Sequence, residues 1–232
     1  MKDKRRRMFY KAGHKLLFLV TVLAIIGIFT FGLIKRSTYT DLCGDPSFPT
    51  NMLVAEMPEQ IAVANCAEME KNLPNSPVIL SVEAEEETEF RGAVARQKML
   101  VRKVHAGEGL QEGDEIYITG RTNVSLAKDD PYKSLECWFV NIPKPGKVYL
   151  IFLESEVDAV HETLPVWKVS EEPFFNPIFC YEEFPNVIAP LSGKNTYVSY
   201  EAVKDNEFFA ASETGYQAFM KLKKALLVKY PL

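Results

Sequence analysis

Few side chains in this sequence are suited to acid–base, nucleophilic or metal chemistry. The 232 residues include three histidines, which are His14, His105 and His161. His105 and His161 have no second His or Cys at the spacing of a zinc site. The chain contains no HExxH, CxxC, G-x-S-x-G, P-loop or GxGxxG motif. We therefore predict no metal site, no cofactor and no catalytic residue, although a Ser-His-Asp set assembled from distant residues stays open.

An enzyme at the membrane surface, either a hydrolase or a transpeptidase, is the alternative. A signal-peptidase-like enzyme needs a Ser-Met-x-Pro segment, and the closest string, Ala55–Pro58, has Glu56 in place of the serine. A sortase-like transpeptidase needs a cysteine supported by His and Arg, for which Cys180 with His105 or His161 is the candidate. A histidine within hydrogen-bond distance of Cys180, a serine or a carboxylate in a concave site would favour the enzyme.

Acidic residues and cysteines allow two further kinds of site. The runs Glu85–Glu87 and Asp129–Asp130 lack the spaced oxygen ligands of a calcium loop, so we interpret both as solvated loops. The candidate disulfide cysteines are Cys43, Cys66, Cys137 and Cys180. Their even number in an exported domain allows three pairings, and buried free thiols are the alternative.

The N-terminal segment predicts a membrane anchor. Leu16–Ile34 is uncharged, and its 19 residues would span roughly 28 Å as a helix, close to the hydrocarbon thickness of a bilayer. Seven basic residues precede the run and two follow it, which predicts a cytoplasmic N-terminus. A cleaved signal peptide is the rival, but the run is longer than usual and no A-x-A pattern follows it. We predict an uncleaved signal-anchor of a single-pass protein in the plasma membrane.

The rest of the chain is predicted to lie outside the membrane. Residues 37–232 carry 18 basic and 30 acidic side chains, a net charge of −12, which argues against nucleic-acid binding. After a basic tail at 1–15 and the helix at 16–34, we assign 37–75 to a tether with a short helix over Met57–Leu73. Residues 76–232 form the exterior domain.

The exterior domain has the pattern of a β protein with a helix at its end. Strands are predicted at 78–84, 96–105, 115–119, 148–154, 167–170, 177–181 and 196–199, separated by turns rather than helices. A C-terminal helix with Thr214 as its N-cap carries an apolar stripe. That stripe is expected to pack on the domain's own barrel, and a partner-binding face is the alternative. The predicted fold is mainly β (α+β): an N-terminal transmembrane helix, an OB-like antiparallel barrel, and a C-terminal amphipathic helix packed on it.

One stretch of the domain resembles a known family. Val101, Lys103, Val104 and Gly107 precede the turn and strand Gly113–Ile116, and Pro145–Leu153 reads PGKVYLIFL. This succession over about 78–154 is similar to the OB-like barrel of the netrin and tissue-inhibitor-of-metalloproteinases type, in the form seen in bacterial surface proteins. The resemblance implies a fold and not an activity. Those inhibitors act through a free N-terminal cysteine, which has no equivalent here.

Composition and motifs together favour binding over catalysis. We expect an exterior module that is held in the lipid bilayer through Leu16–Ile34 and binds another envelope protein, a glycan or a small surface ligand. The net charge of −12 favours a basic or neutral partner.

Overall fold

The computed structural model describes residues 2–37, 52–91, 94–120, 123–125, 134–136, 139–160, 162–170, 172, 175–188 and 197–232. The chain divides into two compact units, Met1–Asp41 and Leu42–Leu232. The helices and strands, in chain order, are α1 (Lys2–Ser37), β1 (Leu53–Ala55), α2 (Glu59–Asn72), β2 (Val78–Ala84), β3 (Glu89–Arg91), β4 (Val94–Ala106), β5 (Glu115–Gly120), β6 (Asn123–Ser125), β7 (Ser134–Glu136), β8 (Val148–Val157), β9 (Val166–Val169), β10 (Ile178–Cys180), β11 (Tyr197–Ser199), α3 (Tyr200–Val203) and α4 (Glu213–Lys229).

Helix α1 makes up the first unit. The most apolar 18-residue window of its segment Lys15–Ser37 has a mean hydropathy of 2.8, and none of that window is buried. The hydroxyls of Thr21 and Thr30 donate to carbonyl oxygens one turn earlier, at 3.0 and 2.8 Å, so these polar groups are satisfied within the helix. In the described part of the chain this is the one helix long and apolar enough to cross a membrane. The apolar helix predicted over Leu16–Ile34 is confirmed.

A closed five-stranded barrel organises the second unit. Around the ring the order is β2, β4, β5, β9 and β8, and β8 closes the ring on β2. Four pairings are antiparallel, whereas β5 and β9 are parallel. The expected antiparallel barrel is thus mixed at one pairing, because a closed ring with an odd number of strands cannot alternate in direction throughout. The α+β, mainly β fold class is confirmed.

Strands β2 and β8 are buried on both faces. Val78–Val82 and Tyr149–Leu153 are buried without interruption, which explains why their sequences show no polar alternation. Inside the ring they contribute to the barrel core, and outside it they lie under an aromatic layer. In that layer Phe152 makes edge-to-face contacts with Phe179 and Tyr230, at centroid distances of 6.2 and 6.0 Å.

Helix α2 contributes to the core of the body. The sequence placed it with the tether, yet Ala62, Cys66 and Met69 are buried in the main hydrophobic cluster. It lies against α4, and Gly215 allows the close approach, since a Cβ there would come within 3.4 Å of the Ala62 Cβ. The tether residues 38–51 lie outside the described residues.

A smaller sheet completes the body. Its four strands follow the order β11, β1, β7 and β6, and β1 pairs with β7 in parallel. The sheet and the strand β3 share a second hydrophobic cluster that includes Val54, Phe90, Val198 and Phe209. The seven predicted strands are all present within a few residues of their expected bounds.

Helix α4 begins before its predicted cap. Ser212, and not Thr214, is the N-cap, because its hydroxyl oxygen accepts a hydrogen bond from the Gly215 amide at 3.1 Å. The Ser212 hydroxyl in turn donates to Glu59 of α2 at 2.8 Å, which joins the starts of the two helices.

Candidate functional site

One serine lies within hydrogen-bond distance of a histidine, the arrangement that would favour an enzyme. Ser81 of β2 and His105 of β4 are on adjacent strands, and the Ser81 Oγ is 2.7 Å from the His105 Nε2. The same Oγ is 2.7 Å from the hydroxyl of Tyr181, which donates to the carbonyl oxygen of Tyr230 at 2.7 Å. The four groups form one continuous hydrogen-bonded chain.

The Tyr230 carbonyl oxygen, at the end of this series of hydrogen bonds, determines which group donates in each bond. A carbonyl oxygen only accepts, so the single hydroxyl proton of Tyr181 points to Tyr230 and its oxygen must accept from Ser81. The single proton of Ser81 is then used as well, and its oxygen accepts from the His105 Nε2–H. A general base must accept the serine proton, and here His105 donates instead.

Burial opposes catalysis at the same place. Ser81 is fully buried, so a substrate cannot reach its hydroxyl. The pKa of His105 is lowered, first by burial and then by the neighbouring charge of Lys103, so the ring is neutral at pH 7. Burial also raises the pKa of the Tyr181 phenol. The geometry is that of a structural network that attaches the C-terminal segment after α4, which begins at Tyr230, to the barrel.

The described cysteines are unreactive thiols. Cys66 and Cys180 are both free and buried. Burial raises the pKa of Cys66 to about 12 and that of Cys180 to about 11, so neither is a thiolate at neutral pH. Cys43, Cys137 and His161 lie outside the described residues, and the disulfide prediction for Cys43 and Cys137 stays a prediction. Among the residues that are described, no group of three His, Cys, Asp or Glu side chains could hold a metal ion.

A groove of about 590 Å³ runs along α4. One wall is the outer face of α4 and the other is the segment Tyr181–Glu183, which follows β10. Met220, Leu227 and Tyr181 supply apolar lining, and Lys221 and Lys224 lie on the helix side. The full lining is Tyr181, Glu183, Gln217, Met220, Lys221, Lys223, Lys224, Leu227 and Val228.

A buried ion pair fixes the two walls of the groove. The Lys223 ammonium lies 2.5 Å from the Glu207 carboxylate, and both side chains are about 5% exposed. Lys223 also donates to the Glu182 carbonyl oxygen at 2.7 Å, which connects α4 directly to the opposite wall. The second Glu207 oxygen accepts from the Cys180 amide at 2.8 Å. Burial raises the pKa of Glu207, and Lys223 acts in the opposite direction.

Two smaller cavities lie beside Asn141 and are too small for an organic ligand. The larger is about 40 Å³ and the other about 10 Å³, and Asn141 lines both. Asn141 donates to the carbonyl oxygens of Lys204 and Asn206 and accepts from the Tyr200 hydroxyl, so its amide is already satisfied. These cavities are large enough only for water.

The apolar stripe of α4 divides between the two roles that the sequence left open. Phe219 and Leu226 are buried in the core, as expected for packing on the barrel. Met220 and Leu227 instead line the groove. The sequence predicted the apolar stripe but not the groove, because the second wall of the groove comes from Tyr181–Glu183, some 40 residues earlier in the chain.

Comparison with known proteins adds no relative. No protein-family model matches the chain, and no curated protein is significantly similar to it.

Proposed function

We propose that this chain is a membrane-anchored binding module. Helix α1 spans the plasma membrane once, residues 1–15 lie in the cytoplasm, and the barrel domain lies outside and binds an envelope protein through the groove along α4. The proposed resemblance to netrin-type barrels is compatible with this role and carries no activity to the chain.

The membrane part of the proposal is supported by two features. The segment Lys15–Ser37 has the length and hydropathy of a spanning helix. Basic residues outnumber acidic ones nine to one in residues 1–36, with seven basic residues before the apolar run, and this bias favours a cytoplasmic N-terminus.

The choice of binding over catalysis is supported by the hydrogen-bond direction at Ser81. A hydrolase of the serine type needs an accessible hydroxyl whose proton passes to a histidine. Ser81 is buried and accepts from His105 rather than donating to it. Cys180, the candidate of the transpeptidase alternative, has a raised thiol pKa and donates to the Val148 carbonyl oxygen at 3.4 Å.

The observation that carries the proposal is the groove along α4. At about 590 Å³ it falls within the size range of ligand sites. It combines apolar lining with charges that have no ion-pair partner among the described residues, the usual composition of a recognition surface. Its walls are held together by Lys223, so the groove is preformed.

Photocrosslinking in intact cells tests the proposal. A photoreactive residue at Lys224, on the rim of the groove, should give a discrete crosslinked product. The same residue at Val160, which is 81% exposed in the turn after β8, serves as the matched control and should give none. Equal products from both positions, or none from Lys224, would contradict a specific partner at the groove. Covalent labelling of Ser81 by a fluorophosphonate would instead support the hydrolase.

A further inference from the structure

The groove along α4 is basic on one wall although the body is acidic. Lys221 and Lys224 are exposed, and within the described residues neither forms an ion pair or hydrogen bond. Gln217, Lys221, Lys224 and Val228 recur at intervals of four and three residues, so they form one stripe along the helix. Residues 37–232 as a whole carry a net charge of −12, so this stripe is a local exception to the charge of the body.

The floor of the groove is apolar and adaptable. Met220, Leu227 and Tyr181 are half-buried there, and Val228, at its edge, is 76% exposed. Methionine is flexible and polarisable and is common at surfaces that accept varied side chains. An occupant therefore needs large apolar groups for the floor and negative groups for the lysines.

A second copy of the chain does not meet this requirement. In a twofold-symmetric contact the same patch faces itself. Because the unpaired Lys221 and Lys224 outnumber Glu183 among the exposed charges that the structure describes in the groove, the contact would bring together two patches with excess positive charge, and like charges at an interface are unfavourable.

A lipid surface fits poorly as well. A bilayer presents a broad front, whereas this site is recessed between α4 and Tyr181–Glu183. Lipid phosphates that reached Lys221 and Lys224 would also approach the exposed carboxylate of Glu183 on the facing wall, and the apolar floor would stay empty. A narrow polypeptide segment can place acidic side chains on the lysine wall and apolar ones on the floor.

We propose that the groove binds an acidic peptide segment of a partner protein that also contains large apolar residues. Its carboxylates pair with Lys221 and Lys224, its apolar side chains contact Met220, Leu227 and Tyr181, and Glu183 rejects acidic residues from the other side. This inference rests on the proposed binding function and corrects its charge argument: the net charge of the body favours a basic or neutral partner, but the groove selects an acidic one.

Selection from a random-peptide library displayed on phage tests the inference. The target is the full chain in nanodiscs of neutral phosphatidylcholine. Enriched peptides should be acidic and contain at least two large apolar residues. Their affinity, measured by fluorescence anisotropy, should fall about tenfold for the variant K221E/K224E, because two favourable charge pairs become repulsive.

The matched control is K71E/K204E, which changes the net charge equally at exposed lysines outside the groove lining. It should bind the selected peptides as the native chain does, with circular dichroism showing that both variants are folded. Neutral or basic peptides, or an equal loss in both variants, would overturn the acidic-peptide inference. Loss of peptide binding in nanodiscs that contain phosphatidylglycerol would also overturn it, in favour of a lipid site.

The two proposals fail in different ways. Peptides that bind the native chain and the variant K221E/K224E with equal affinity would refute only the acidic-peptide inference and would leave the proposed binding function standing. Enrichment of no peptide, with no crosslinked product from Lys224 in cells, would refute both.

Discussion

Ser81 has two hydrogen-bond neighbours, and its role depends on which of them receives its proton. Tyr181 must donate to the Tyr230 carbonyl oxygen, so every bond from there back to His105 has a fixed direction. The proximity of serine and histidine alone would have suggested a nucleophile. The complete network shows that both residues help to hold the C-terminal segment after α4 in place. Lys103 contributes as well, since it donates to the Pro231 carbonyl oxygen at 2.8 Å.

His105 should make the folded body less stable at mildly acidic pH. Its folded-state pKa lies below the ordinary value of 6.5, so below about pH 6.5 the unfolded chain binds a proton that the folded chain does not. The free energy of unfolding should therefore fall as the pH is lowered from 7.5 through this window. Urea unfolding of the full chain in detergent, followed by tryptophan fluorescence, measures the effect.

The variant His105→Gln isolates this contribution. Glutamine keeps an N–H donor for Ser81 but does not titrate, so the fall in stability between pH 7.5 and 5.5 should become smaller. An unchanged pH dependence in His105→Gln would show that burial does not affect this ring.

Lys223→Met should strongly destabilise the body. The change leaves the buried Glu207 carboxylate without its cationic partner, and breaking a buried ion pair typically costs about 3–5 kcal/mol. The double variant E207Q/K223M, which removes both charges, should recover part of the loss. Urea unfolding at pH 7 gives the comparison.

Lys144→Met is the control for this prediction. Lys144 pairs with Asp205 at 2.9 Å, but the two side chains are 34% and 67% exposed, so its loss should cost at most about 1 kcal/mol. Equal costs for Lys144→Met and Lys223→Met would mean that burial of the pair adds nothing.

At the scale of elements, α4 is held by an aromatic layer. The Phe219 ring stacks on Phe208 and Phe175 at centroid distances of 5.0 and 5.3 Å and is fully buried. Phe219→Ala should therefore lower the free energy of unfolding by about 3–5 kcal/mol. Val228→Ala, on the exposed face of the same helix, should change it by less than about 0.5 kcal/mol. Similar losses in thermal or urea unfolding would contradict the assigned faces of α4.

Tight turns explain two glycines, Gly107 and Gly113, in the stretch 78–154. Gly107 follows β4 with φ of +107°, and a Cβ there would lie 2.8 Å from a Val78 side-chain carbon. Gly113 has φ of +91°, and its amide donates to the Val101 carbonyl oxygen at 2.9 Å. Backbone conformation, and close approach at Gly107, account for glycine at both positions.

At the scale of the whole molecule, the distribution of charge predicts the topology. Protease added to intact cells should degrade the body and spare about the first 15 residues, because the N-terminal basic cluster favours retention in the cytoplasm. Immunoblotting with tags at each end measures this. Release of the intact body by high salt alone, without detergent, would contradict a spanning helix.

The sequence by itself determined those elements whose signal is local. The uncharged run of α1, the β-branched strands and the glycine turns each depend on residues close together in the chain, so their type and approximate bounds were predictable. Periodicity also showed that α4 has an apolar stripe. It could not show which part of that stripe is buried, because the answer depends on which distant element lies opposite each residue.

Tertiary structure alone decided the candidate site. Ser81 meets His105 through a pairing of β2 and β4 that contains register shifts, and no pattern in either strand indicates such shifts. The groove exists because Lys223 joins α4 to Glu182 and Glu207, residues 41 and 16 positions away. A polar contact between distant segments depends on how the whole core packs, and one sequence carries no local signal for it.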